Sequence, residues 1–106
     1  MPKYLIEGNY LPQGAQGLIK EGGSSRRAVI EGLAKGMGGS VEAVYFAFGD
    51  VDIYAIVDVP DHATIMALSL AVNSTGAVKI KTTVLIDAEV IDLASKKAVN
   101  YKPPGA

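Results

Sequence analysis

Residues 3–10 alternate along the chain. Tyr4, Ile6, Gly8 and Tyr10 fall on one side and Lys3, Leu5, Glu7 and Asn9 on the other, which predicts a strand with one mixed face. Pro12, Gln13 and Gly14 break the pattern, and residues 15–21 read as a short helical turn that Gly22 and Gly23 interrupt. A long helix is expected to open at Ser24-Ser25-Arg26-Arg27, where a serine hydroxyl can cap the first turn. Val29, Ile30 and Leu33 form its apolar stripe and Gly38-Gly39 its stop. Residues 40–48 predict a second strand without a polar side: Val41, Ala43, Tyr45 and Ala47 face one way, and Val44, Phe46 and Phe48 the other. Gly49-Asp50 signals a turn into a third strand over 51–59, so the two make a hairpin. The odd positions of that strand are all apolar, whereas Asp52, Tyr54, Ile56 and Asp58 are mixed.

Pro60 stops this strand, and Asp61 caps a second long helix that runs to about residue 75, closed by Gly76. Ile65, Leu68 and Val72 make one stripe of it, Met66 and Leu70 another, and Ala63, Ala67 and Ala71 a flat one. A helix apolar over so much of its girth needs more than one sheet to cover it. A fourth strand is expected over 78–86, with Val78, Ile80, Thr82, Val84 and Ile86 inward. Asp87 caps a last helix to about residue 99, with Val90, Ile91, Leu93 and Ala94 as its buried stripe, followed by an extended arm.

The order β-α-β-β-α-β, with right-handed crossovers and a C-terminal helix, predicts a ferredoxin-like α+β fold with both long helices on one face of an antiparallel sheet. The other face carries Glu7, Asn9, Asp52, Tyr54, Asp58, Lys79, Lys81 and Thr83 beside Leu5, Ile56 and Leu85. So much apolar surface in one patch calls for a cover. A second copy packed face to face supplies it, in a dimeric α+β barrel.

At 106 residues the chain reads as one domain, residues 1–106. A hydrophobic fraction of 49% with 20% charged residues fits a globular chain. The net charge of -1 and a pI near 5.7 give no positive field for nucleic acid or a membrane surface. Without cysteine there is no thiolate chemistry or Cys-based metal site, and one histidine leaves no His-rich site, so no metal and no cofactor are expected. Glu7 interrupts the start where a signal peptide needs its apolar core, and no run approaches the ~20 residues of a membrane span. The reading is a cytoplasmic protein.

Several segments resemble the GYD-domain proteins. They are Pro2-Lys3-Tyr4-Leu5, Lys20-Glu21-Gly22-Gly23-Ser24-Ser25-Arg26-Arg27, Val44-Tyr45-Phe46-Ala47-Phe48-Gly49 and Ala71-Val72-Asn73-Ser74-Thr75-Gly76-Ala77-Val78. Lys81-Thr82-Thr83-Val84-Leu85 and the tail Tyr101-Lys102-Pro103-Pro104-Gly105-Ala106 belong with them, so the likeness covers nearly the whole chain. It implies a small bacterial or archaeal protein with a ferredoxin-like, dimeric α+β barrel fold, and it brings no reaction or catalytic residues. The motif that names the family falls at Gly49-Asp50-Val51-Asp52, where Val51 replaces the tyrosine. A role resting on that phenol does not carry over, and Tyr54 is the nearest substitute.

Three places carry candidate chemistry. Gly22-Gly23 before Ser24, Ser25, Arg26 and Arg27 pairs backbone N–H groups with two cations, which suits a carboxylate or phosphate; the plain alternative is a capped helix start with solvated arginines. Glu7, Asn9, Asp52, Tyr54, Asp58, Lys79 and Lys81 can line a barrel lumen as ligand-binding or acid–base groups, or serve as salt bridges that fix a dimer's register. His62 can act as a general base or, in an oligomer, as a shared metal ligand; the plain alternative is a solvated first-turn residue. The favoured function is a homo-oligomeric module that binds a small molecule or a partner. The alternative is a cofactor-independent enzyme acting on a small, partly apolar molecule, with Tyr54, His62 and Asp52 as its candidate catalytic residues.

Overall fold

The computed structural model describes residues 1–47 and 49–106. In chain order they form β1 (Lys3–Tyr10), α1 (Pro12–Glu21), α2 (Gly23–Gly36), β2 (Ser40–Phe46), β3 (Ile53–Asp58), α3 (His62–Ser74), β4 (Val78–Leu85) and α4 (Ala88–Ser95). The four strands make one antiparallel sheet in the order β2-β3-β1-β4.

Register sorts the side chains between the two faces. Tyr4, Ile6 and Gly8 pair with Val57, Ala55 and Ile53 on one flank and with Val84, Thr82 and Ile80 on the other, so these residues share a face. On that face Tyr4, Ala55, Val57 and Val59 pack with Ile65 of α3 into the core, flanked by Met37, Val41, Val44 and Leu68. The odd positions of the third strand do point into the helix-covered core, as their uniform apolarity predicts. Asp61 accepts from the Thr64 N–H at 2.8 Å and starts α3; the Thr64 hydroxyl and that N–H hold its carboxyl below the usual carboxylate range.

Several expectations are corrected. The strand does end ahead of Pro12, at Tyr10, but the first helix begins at Pro12 and not at residue 15: proline's fixed φ suits a first helical position, where the missing N–H costs nothing. Gly14 is there for closeness, since a Cβ on it would lie 2.1 Å from the Ala77 carbonyl oxygen. The second helix is preceded by Gly22, at φ 85°, and no serine side chain caps it; Ser24 and Ser25 lie inside its first turn. In β2 the register slips between Val41 and Ala43. This bulge moves Val41 to the core face with Val44 and leaves Ala43 and Tyr45 on the open face, opposite Ile56 and Tyr54. Phe48 lies outside the described residues.

The stripe assigned to the last helix is not buried within one chain. Ile91 and Leu93 are each 62% exposed, because α4 leaves the sheet after β4 and every residue of it stays exposed. The second stripe of α3 is also open, with Leu70 at 67%. The accessible surface, 7443 Å², exceeds by about a third the ~5,600 Å² expected of a folded 11.0 kDa chain. The radius of gyration is 17.1 Å, against ~13 Å for a compact domain of this length.

One core position is imperfect. Thr82 faces the helices opposite Ile6, and its hydroxyl is buried with no hydrogen-bond partner among the described residues. Valine has the same shape without the stranded hydroxyl, so Thr82→Val is expected to stabilise the fold by about 1 kcal/mol. The check is a higher guanidinium midpoint at unchanged denaturant slope.

Candidate functional site

The end of β1 and the start of α2 meet where the sheet opens toward α1. Tyr10 closes β1 opposite Val78, and the Leu11 N–H donates to the Ala77 carbonyl at 2.9 Å, which turns the chain into α1. The Tyr10 backbone N–H donates to Asp52 Oδ2 at 2.9 Å, tying this corner to the foot of β3. Gly22, in the left-handed region, lets α2 start immediately after α1 and brings Arg26, in its first turn, over Tyr10.

Tyr10 and Arg26 border two connected spaces. The inner one, about 70 Å³, lies between sheet and helices and is lined by Ile6, Ile53, Ala55 and Ile80 from below and by Ile30, Leu33, Ala34 and Leu68 from above. The outer one, about 310 Å³, opens between α1 and the start of β4 and is bordered by Gln13, Leu18, Glu21 and Thr75. Val72 and Val78 line both. Asp52 lies in a third hollow, with Phe46 and Ile19, that also reaches Tyr10. Burial pushes the Tyr10 phenol above its usual pKa; the neighbouring Arg26 guanidinium opposes that shift and the Asp52 charge adds to it. Arg26 Nε is buried with no hydrogen-bond partner among the described residues.

The predicted candidates do not all converge here. Arg26 is at the site and Asp52 at its edge, but Ser24 and Ser25 are exposed, and Arg27 turns outward to Glu31, Nε to Oε1 3.7 Å. Asp52 leaves the open-face set it was grouped with. Glu7, Asn9, Tyr54, Lys79 and Lys81 stay on the open face, Glu7 opposite Tyr54 and Lys81, and Asn9 opposite Lys79. Asn9 donates its side-chain amide to the Asp50 carbonyl at 2.8 Å. Beside them Lys3 holds both Glu42, at 2.7 Å, and Asp58, at 3.1 Å, and these contacts raise its pKa. His62 sits across the sheet from Tyr54, its Nδ1 hydrogen-bonded to the hydroxyl of buried Tyr4. Burial and the Asp61 charge both raise the Tyr4 pKa. Tyr54 and His62 are therefore not brought to one place. Among the described residues no three acidic or histidine side chains cluster as metal ligands, and no helix is long and apolar enough to cross a membrane.

Tyr10 is the site residue that the alternation pattern leaves unmarked. Its signal is a polar-tipped aromatic at the last inward position of a strand, where the hydroxyl emerges at the rim of the core.

A family model for the GYD domain matches residues 4–94. No curated protein and no solved structure matches the chain. The chain belongs to the GYD-domain family.

Proposed function

We propose that this GYD-domain protein is a self-associating module that holds a small molecule in the cavity between its sheet and its helices. The observation that carries the binding half is the apolar space under Tyr10 and Arg26: two polar groups mark the entrance and the inner walls are aliphatic. The strand order, with α2 and α3 on one face, supports a ferredoxin-like reading. The open face, where Leu5, Ile56, Ala43 and Leu85 lie among charged neighbours, supports a dimeric α+β barrel. The surplus surface is of the size that a homodimer interface removes. Binding is favoured over catalysis because Tyr54 and His62, the candidate catalytic pair, lie on opposite faces of the sheet and are not brought to one place.

Xenon tests the cavity without assuming any ligand chemistry, because small apolar cavities bind it. Under a few atmospheres of xenon, methyl shifts are expected at Ile30, Leu33, Ala55 and Leu68 and not at the exposed methyls of α4. Shifts scattered over the surface, or none at all, would remove the binding reading.

A further inference from the structure

We infer that the ligand is a small organic acid with one carboxylate, its short apolar chain in the inner cavity and its carboxylate on Arg26. This deepens the binding reading above and rests on it. Three observations converge. First, Arg26 Nε is buried and unpartnered among the described residues, and Arg26 lies in no ion pair among them. An Nε–H removed from water and left without an acceptor is costly, and an anion in the guanidinium plane removes that cost. Second, the inner cavity is almost wholly apolar, so the part of a ligand that enters it carries no charge. Its volume is about half that of cavities known to admit benzene, which suits a chain of roughly three or four carbons. Third, the charge is single. Arg27 is turned away to Glu31, and Glu21 borders the outer cleft, where it opposes a second negative group. One guanidinium fork matches one planar carboxylate, whereas a phosphate dianion needs further donors. The Tyr10 phenol lines the same space and stands beside Arg26 as a second donor.

The test titrates butanoate, butanamide and butyl phosphate into nitrogen-15-labelled protein, following the backbone amides of Ile30, Val72 and Val78 and the Arg26 Nε–H signal. Butanoate is expected to bind about tenfold or more tightly than its neutral isostere butanamide, and to move the Nε–H signal. Arg26→Gln is expected to abolish that preference by weakening butanoate far more than butanamide, and Arg26→Lys to restore part of it. Equal binding of acid and amide, a preference that survives Arg26→Gln, or tighter binding of butyl phosphate overturns the inference. The acid-to-amide ratio on the unaltered protein decides the matter even if a variant fails to fold. A cavity that takes xenon while the protein shows no carboxylate preference sinks this inference and leaves the binding reading standing. A cavity that refuses xenon removes both.

Discussion

Gly39→Ala is expected to cost about 3 kcal/mol of stability, a large part of the 5–15 kcal/mol that holds a domain of this size. Gly39 is not in the left-handed region, so the reason is closeness and not backbone freedom. It ends the turn after α2, where its N–H donates to the Ala34 carbonyl at 2.9 Å and Gly38, at φ 81°, reverses the chain. A Cβ at position 39 would stand 1.9 Å from the Asp58 carbonyl oxygen and 3.1 Å from Val59 Cα. Both neighbours are backbone, so no side chain can swing aside. Either the start of β2 lifts from β3, breaking the Ser40–Asp58 pair, or β3 shifts and carries Val59 with it. Val59 is fully buried in the core, and its N–H holds the Pro2 carbonyl at 3.2 Å, so the second route loosens the start of β1 as well. Gly32→Ala is the matched control. It lies within α2 with nothing within 4 Å of its Cβ, and alanine there should be neutral or stabilise by up to ~1 kcal/mol. Thermal or guanidinium melts of the two variants are expected to move in opposite directions. Equal melts would show that the β2–β3 junction yields more easily than a packed backbone should.

The same junction shows where the sequence was legible and where it was not. A strand with one wet and one dry face announces its orientation, and β1 and β3 did so through Lys3–Tyr10 and the odd positions 53–59. The second strand has no polar side, so nothing in its composition could fix which residues face in, and a bulge at Glu42 changed the answer for Val41. Helices betrayed themselves by their caps where a side chain does the capping, as at Asp61. The start of α1 at Pro12 and that of α2 after Gly22 rely on backbone geometry alone, which turn chemistry imitates.

The candidate site was half legible for a related reason. Arg26 stood out as a cation in the first turn of a helix. Its significance depends on the strand that runs beneath it, and only the tertiary path brings Tyr10, from the other side of α1, under its guanidinium. Conversely, the open-face polar residues were identified as a set because they share a strand period. Asp52 departs from that set because it precedes the first paired residue of β3 and takes the Tyr10 N–H. Periodicity groups residues within an element; it does not tell where the element's end will turn a side chain.

For the self-association proposed above, Ile56→Asp is expected to raise the dissociation constant about a hundredfold or more while leaving the fold of each chain intact. Ile56 sits near the middle of the open face, opposite Leu5 of β1 and Ala43 of β2, and it is only partly buried in the isolated chain. A carboxylate there remains hydrated in the monomer. Pressed against a second sheet it becomes an unpaired buried charge, which costs several kcal/mol, and each 1.4 kcal/mol is a factor of ten. Lys3, two residues before Leu5 on β1, is already shared between Glu42 and Asp58, so it is no ready partner for a third acid in this patch. Sedimentation velocity at micromolar concentration should show the unaltered protein as a dimer or larger and the variant at the mass of one chain. Near-identical far-ultraviolet dichroism should accompany that loss. A second variant, Leu93→Asp, separates the two open apolar surfaces. If α4 is covered by the same contact, this substitution also weakens the assembly; if the sheet face alone makes the dimer, it leaves the mass unchanged. Were the unaltered chain itself monomeric at these concentrations, the exposed Leu5–Ile56–Ala43 patch would need another occupant, and self-association would fall as the account of the surplus surface.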